Sequence, residues 1–214
     1  MLEDERRQVA EHCRRMRADG LVVGTSGNIS VRGGDLVALS PSGLDYDEMT
    51  PDLVGVHRLD GTPVEAPLDP TTEMPMHLTI YERTDARAVV HTHSTAATVV
   101  STLIDELPPI HYLIAAFGGT IRVARYATYG TPELAENMTA ALDGRTGCIL
   151  GNHGAITYGS TITEAYTRAA YLEWLCEVYL RATAAGTPRI LPRDEIDRVR
   201  QKIATYGPHP RSGG

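Results

Sequence analysis

The chain has 214 residues, of which 42% are hydrophobic, and a net charge of −7. That is enough apolar surface for one substantial core. An acidic balance with scattered basic residues excludes a nucleic-acid footprint, although backbone N–H groups can still hold a small anion. Cys13, Cys148 and Cys176 lie far apart and form neither a metal-type spacing nor a disulfide framework. The start, Met1-Leu2-Glu3-Asp4-Glu5-Arg6-Arg7, lacks the apolar segment of a signal peptide, and no apolar run is long enough for a membrane span. The expectation is a cytoplasmic protein with neither nucleic acid nor membrane as a partner.

Leu2, Val9, Cys13 and Met16 recur near helical spacing, which predicts a helix over 2–18 that stops at Gly20. Short strand-like runs follow at 28–31 and 36–39 around Gly33-Gly34. Two more, at 53–59 and 62–65, flank the hairpin dipeptide Asp60-Gly61. From residue 74 the pattern alternates: helix 74–84, strand 88–92, helix 94–102, strand 121–125, helix 131–142, strand 147–150. A strand over 154–158 precedes a long helix over 162–185, with Ala165, Ala169, Leu172, Leu175, Cys176 and Tyr179 along one side. Pro188 and Pro192 break the chain before a last helix over 193–204, and the Gly-, Pro- and Ser-rich residues after Gly207 read as a fraying tail. The economical organisation is one α/β domain over 1–207 with a tail over 208–214.

His91-Thr92-His93 closes the apolar run Ala88-Val89-Val90. Strand side chains alternate faces, so two imidazoles at this spacing project the same way and can grip one ion. His153, in Gly151-Asn152-His153-Gly154, again follows an apolar run, Cys148-Ile149-Leu150. Three histidines with one position left open form the pattern of a catalytic zinc site. A lone histidine reads as a core or surface residue, and His77, four residues past Glu73 on one helical face, has packing as its plain reading and support of that carboxylate as its functional one.

Gly24-Thr25-Ser26-Gly27-Asn28 has the look of an anion cradle, since glycines let N–H groups turn inward and Thr25, Ser26 and Asn28 add donors. It is not a Walker loop, which needs a lysine, nor the dinucleotide fingerprint, which needs a third glycine. Ser40-Pro41-Ser42-Gly43 and Pro70-Thr71-Thr72-Glu73 are two further hydroxyl-bearing turns. Thr71 or Thr72 is equally a candidate N-cap for helix 74–84, with Glu73 in its first turn. Three such turns beside a metal site suggest a phosphate pocket. Lys202 is the single lysine, which disfavours Schiff-base chemistry.

Together with Ile110-His111-Tyr112, residues 115–119 and 126–130, and Thr205-Tyr206-Gly207, these segments resemble the class II aldolase/epimerase family over almost the whole chain. The likeness is greatest to its zinc-dependent L-fuculose-1-phosphate aldolase branch. The resemblance implies a single-domain, three-layer α/β sandwich with a central, mainly antiparallel sheet covered by helices. It implies that His91, His93 and His153 are metal ligands, and that Glu73 both ligates the metal and acts as acid/base. It matches Thr25, Gly27, Asn28, Ser42, Gly43, Thr71 and Thr72 to phosphate-binding positions. Tyr112 matches a catalytic tyrosine that reaches into a neighbouring subunit's site, and Tyr206 one near the C-terminus that closes over it. One zinc per subunit is implied, other divalent metals being possible, in a homotetramer with active sites at subunit interfaces. The chain departs from the family in carrying Thr71-Thr72 for two serines and Tyr129 for a phenylalanine.

The implied reaction is reversible cleavage of a ketose 1-phosphate (L-fuculose 1-phosphate or a related deoxyketose 1-phosphate) to dihydroxyacetone phosphate and an aldehyde. The residue types suit it: a Lewis acid stabilises charge on the carbonyl oxygen, a carboxylate moves a proton at carbon, and a tyrosine trades one with the aldehyde oxygen. Three other readings stay open. An L-ribulose-5-phosphate 4-epimerase usually carries Asp where Glu73 stands. A sugar-phosphate dehydratase is a further member of the same set. A non-catalytic module like the adducin head would have no use for three histidines, Glu73 and both tyrosines together.

Overall fold

The computed structural model describes residues 1–203, so Tyr206, the expected boundary at 207 and the tail over 208–214 lie outside the described residues. Helix α1 (Glu3–Ala18) opens with Glu3, Asp4 and Glu5 and ends with Arg15 and Arg17, complementing its dipole, and buries Val9, Ala10, Cys13 and Met16. The strands β1 (Asn28–Gly33), β2 (Leu36–Leu39), β3 (Gly55–Arg58) and β4 (Pro63–Glu65) then form an antiparallel meander. Pro51 starts a 3₁₀ turn over Pro51–Leu53, so β3 begins later than the apolar run from 53 suggested.

Helix α2 (Met74–Arg83) leads into β5 (Ala88–Thr92), and α3 (Thr95–Val100) follows. The remaining elements are β6 (Glu106–Leu107), β7 (Ile121–Ala124), α4 (Pro132–Leu142), β8 (Gly147–Leu150), β9 (Gly154–Gly159), α5 (Ile162–Ala185) and α6 (Arg193–Ile203). Strand β6 and the 3₁₀ segment Tyr112–Phe117 were not expected, because two residues and an irregular turn are too short to show a period. No helix among the described residues is long and apolar enough to cross a membrane.

The nine strands make one sheet in the order β4-β3-β2-β1-β5-β9-β8-β7-β6. Every pairing is antiparallel except β7 with β8, whose crossover carries α4. Alternation in β5 divides the core: Ala88 and Val90 pack with α1 and α5, and Val89 packs with α2 and α4. This is the expected three-layer arrangement, a mainly antiparallel sheet between two helical layers. His91 shares the face of Val89 and lies opposite Asn28 of β1 and Ile156 of β9. The middle of the sheet thus aims an imidazole at the N-terminus of α2.

Candidate functional site

Three chain segments bring the four predicted metal-site residues together. His91 lies within β5, fully buried, and its Nδ1 donates to the carbonyl of Ala155 across the sheet at 2.9 Å. His93 lies just past the strand, held by its backbone N–H to Leu21 O at 3.0 Å. His153 occupies the turn between β8 and β9, where Asn152 takes a left-handed φ of 50°. A Cβ at Gly154 would collide with the Thr92 carbonyl oxygen, so glycine there lets this turn lie against the end of β5.

Glu73 corrects one local expectation. It occupies the N-cap position of α2 rather than the first turn, and neither Thr71 nor Thr72 caps the helix. The Thr71 hydroxyl accepts the Glu73 N–H at 3.2 Å instead, an intervening turn that frees the Glu73 carboxylate to point into the site.

The Glu73 Oε2 atom lies 3.0 Å from His91 Nε2, and Oε1 lies 3.2 Å from His153 Nε2. His91 Nε2 and His93 Nε2 are 2.9 Å apart. One ligand atom from each of Glu73, His91, His93 and His153 falls within 4.8 Å of every other. Glu73 Oε1 is buried with no aligned hydrogen-bond donor, an orphan that a cation would satisfy. Three imidazole nitrogens with one carboxylate oxygen suit zinc or a neighbouring divalent ion.

The electrostatics follow from this crowding. Burial works to raise the Glu73 pKa, but the facing charge of His91 and the contacts from His153 and His91 outweigh it and hold the carboxyl far below its ordinary range. Burial works to lower the His91 pKa, and the Glu73 carboxylate reverses the shift upward. His93 is pushed down to about 3, by burial first and then by His91 and His153.

A cavity of about 530 Å³ opens beside this cluster. Its walls include Glu73, His93 and His153 together with Thr25, Gly27, Asn28, Ser42, Gly43, Thr71 and Thr72, so every residue expected to hold phosphate faces the same space. The hydroxyl turns are tied to one another: Ser42 N–H donates to Asp69 O at 2.9 Å, and Thr71 N–H to Ser40 O at 3.2 Å. Val23, Pro41 and Asn152 also line the cavity without having been singled out. For Asn152 the available signal was the Gly151-Asn152 pair, which favours a tight turn and here takes the positive φ. Tyr126 and Tyr129 line the cavity as well. Tyr112 is not among the lining residues; it is half exposed, its ring against His111 at 4.4 Å between centroids.

The family profile described as Class II Aldolase and Adducin N-terminal domain matches residues 7–180. The chain is 39% identical over 210 residues to a 5-deoxy-D-ribulose 1-phosphate aldolase of Bacillus thuringiensis serovar kurstaki, covering 97% of this chain and 99% of that one. It is 40% identical over 204 residues to a 5-methylthioribulose-1-phosphate/5-deoxyribulose-1-phosphate aldolase of Rhodospirillum rubrum, covering 94% and 92%. A solved L-fuculose 1-phosphate aldolase superimposes with a TM-score of 0.91 at 35% identity, covering 94% of this chain and 96% of that chain. The match along the sequence, the superposition and the convergent histidines agree: this chain belongs to the class II aldolase and adducin N-terminal domain family.

Proposed function

We propose that this protein is a divalent-metal aldolase that reversibly cleaves a ketose 1-phosphate to dihydroxyacetone phosphate and an aldehyde. The observation that carries it is the convergence of Glu73, His91, His93 and His153 on one point beside a cavity walled by three hydroxyl-bearing turns. His91, His93 and His153 would hold the metal, zinc in our reading, at one ion per subunit, with Glu73 able to join them. A bound divalent cation supplies Lewis-acid stabilisation of the charge that develops on the carbonyl oxygen as the carbon–carbon bond breaks.

The chain's own residues supply the rest. Thr25, Ser42, Thr71 and Thr72 offer donors to the phosphate, Asn28 braces that wall through its N–H to the Thr71 hydroxyl, and the backbone at Gly27 and Gly43 allows close approach. Anchoring the phosphate fixes the distance from it to the carbon that gains or loses a proton, which is the positional part of the catalysis. The Glu73 carboxylate, held ionised and next to the cluster, is placed to take that proton and return it. Tyr112, exposed on its own subunit, is assigned to the aldehyde oxygen of a neighbouring subunit's substrate, in a homotetramer with shared sites. Tyr206 is assigned to the covering of the site. The names of the relatives favour a 5-deoxy- or 6-deoxyketose 1-phosphate as substrate, and a cytoplasmic location fits such a metabolite.

The test is direct. Protein loaded with zinc is incubated with 5-deoxyribulose 1-phosphate and, separately, L-fuculose 1-phosphate, and release of dihydroxyacetone phosphate is followed. Release that stops on chelation and returns with zinc is the expected result. No release from either sugar by protein that has bound its metal would overturn the proposal.

A further inference from the structure

Behind the cavity, four polar side chains run in single file from the core to Glu73. They alternate between two elements, Asn28 and Ser30 on one face of β1, and His77 and Tyr81 on successive turns of α2 below Glu73. Tyr81 OH lies 2.7 Å from Ser30 Oγ, and Ser30 Oγ lies 2.7 Å from His77 Nδ1. His77 Nε2 lies 2.5 Å from Asn28 Oδ1, and Asn28 Nδ2 lies 3.0 Å from both Glu73 Oε2 and Thr71 Oγ1. All are buried, His77 and Ser30 completely.

The donors and acceptors in this file admit one consistent assignment. An ionised carboxylate only accepts, so Asn28 must present its NH₂ to Glu73. Asn28 Oδ1 then faces His77, whose Nε2 must carry the proton. A neutral imidazole has one N–H, so Nδ1 is bare and accepts from the Ser30 hydroxyl, which in turn accepts from Tyr81. Burial keeps His77 neutral, its pKa pushed down to about 3 by desolvation first and by His91 second. With the proton on Nδ1 instead, Nε2 would need a donor and the Asn28 amide would turn over. Its Oδ1 would then oppose the Glu73 carboxylate with no proton between them.

We infer that His77 is a positioning residue: through its Nε2–H it locks the Asn28 amide, which aims the Glu73 carboxylate at the imidazole cluster and one N–H at the phosphate turn. A side chain there only to pack would leave Asn28 Oδ1 buried without a donor. The inference rests on the proposed aldolase reading for its effect on turnover, but not for the orientation itself.

The experiment uses the full chain with zinc bound. Long-range ¹H–¹⁵N spectra of the histidines are expected to show His77 as the Nε2–H tautomer, and the Nδ1–H tautomer would overturn the inference. His77→Leu removes the Nε2–H donor and leaves Asn28 Oδ1 without its partner. It is expected to lower kcat about 10- to 100-fold, the usual cost of losing a partner behind a metal ligand, with zinc content unchanged. A kcat within twofold of wild type in His77→Leu, at equal zinc content, would overturn the inference. Should His77→Leu fail to fold, the tautomer in the wild-type spectrum still decides. If the wild type cleaves no ketose phosphate, the aldolase reading falls, while the tautomer still reports the orientation of Asn28.

Discussion

The carbonyl oxygen of Ala155 accepts the Nδ1–H of His91 at 2.9 Å, which leaves His91 Nε2 bare when the ring is neutral. That bare nitrogen faces Glu73 Oε2 at 3.0 Å and His93 Nε2 at 2.9 Å, so acceptors crowd together with too few protons among them. A divalent cation resolves the crowding, and β9 supplies the outer partner that orients the ring for it. Dialysis against a strong chelator is therefore expected to remove one equivalent of metal per chain and lower the melting temperature. With free metal a thousandfold above its Kd, binding stabilises by about 4 kcal/mol, or roughly 10 °C for a chain of this size. Calorimetric scans of stripped and zinc-restored protein check this, and identical curves would contradict it.

Glu73→Gln keeps the shape of the side chain and removes its charge and its ability to carry a proton. Turnover is expected to fall by about 10²- to 10⁴-fold, the range for losing a positioned general base, with the melting temperature of the metal-loaded protein changed far less. Measuring kcat at saturating zinc separates proton transfer from metal loss. Full recovery of activity by added zinc would show that Glu73 serves the metal alone.

Ser42→Ala removes one hydroxyl from the proposed phosphate wall of the cavity and leaves all four residues of the metal cluster in place. A hydrogen bond to a charged group contributes about 1.5–3 kcal/mol, so KM is expected to rise roughly 10- to 100-fold, with a smaller fall in kcat because the anchored phosphate also positions the reacting carbon. Inhibition by inorganic phosphate should weaken in parallel. A fall in kcat at constant KM would place Ser42 elsewhere.

The sheet and its helices were legible because most elements were long enough to show a period: the stripe Val9, Cys13, Met16 and the alternation through β5 survive folding intact. The metal cluster was legible in part. The spacing of His91 and His93 fixes a shared face by strand geometry alone, but nothing local says that the turn at His153 folds over β5; that depends on Gly154 clearing the Thr92 carbonyl. The Thr71–Glu73 turn misled because Ser, Thr and Asp before a helix cap it far more often than they redirect it. His77 read as packing because its partners Ser30 and Asn28 come from β1, 47 and 49 residues away, where no periodicity connects them.

Glu173 of α5 was equally invisible from sequence, and it matters to the same cluster. Its two oxygens accept the Ala96 and Ala97 N–H groups at 2.8 Å each, capping α3 directly after His93, while Ser94 makes no capping bond. Glu173→Ala leaves two N–H groups at that helix start unpaired, for which the expected cost is about 2 kcal/mol, or roughly 4–8 °C in melting temperature. Because α3 fixes the chain leaving His93, zinc affinity should weaken as well. A variant that melts lower but binds zinc with wild-type affinity would confine Glu173 to a structural cap.

His77 sets an acid limit on stability independent of the metal. Its folded pKa of about 3 lies below the ordinary value of 6.5, so between those values the unfolded chain binds a proton that the native chain refuses. Stability from this group is complete above pH 6.5 and drains away as pH falls toward 3, at up to about 1.4 kcal/mol per pH unit. Glu73 acts in the same sense at lower pH, since its depressed pKa withdraws stability only after the unfolded carboxyl begins to protonate near 4.5. Urea unfolding of metal-free protein at pH 7 and pH 5 is expected to show wild type losing about 2 kcal/mol more than His77→Gln, whose side chain has no proton to gain. Equal losses in the two proteins would mean that the buried imidazole is already charged, and the file of hydrogen bonds from Tyr81 to Glu73 would then have to run with a different proton order.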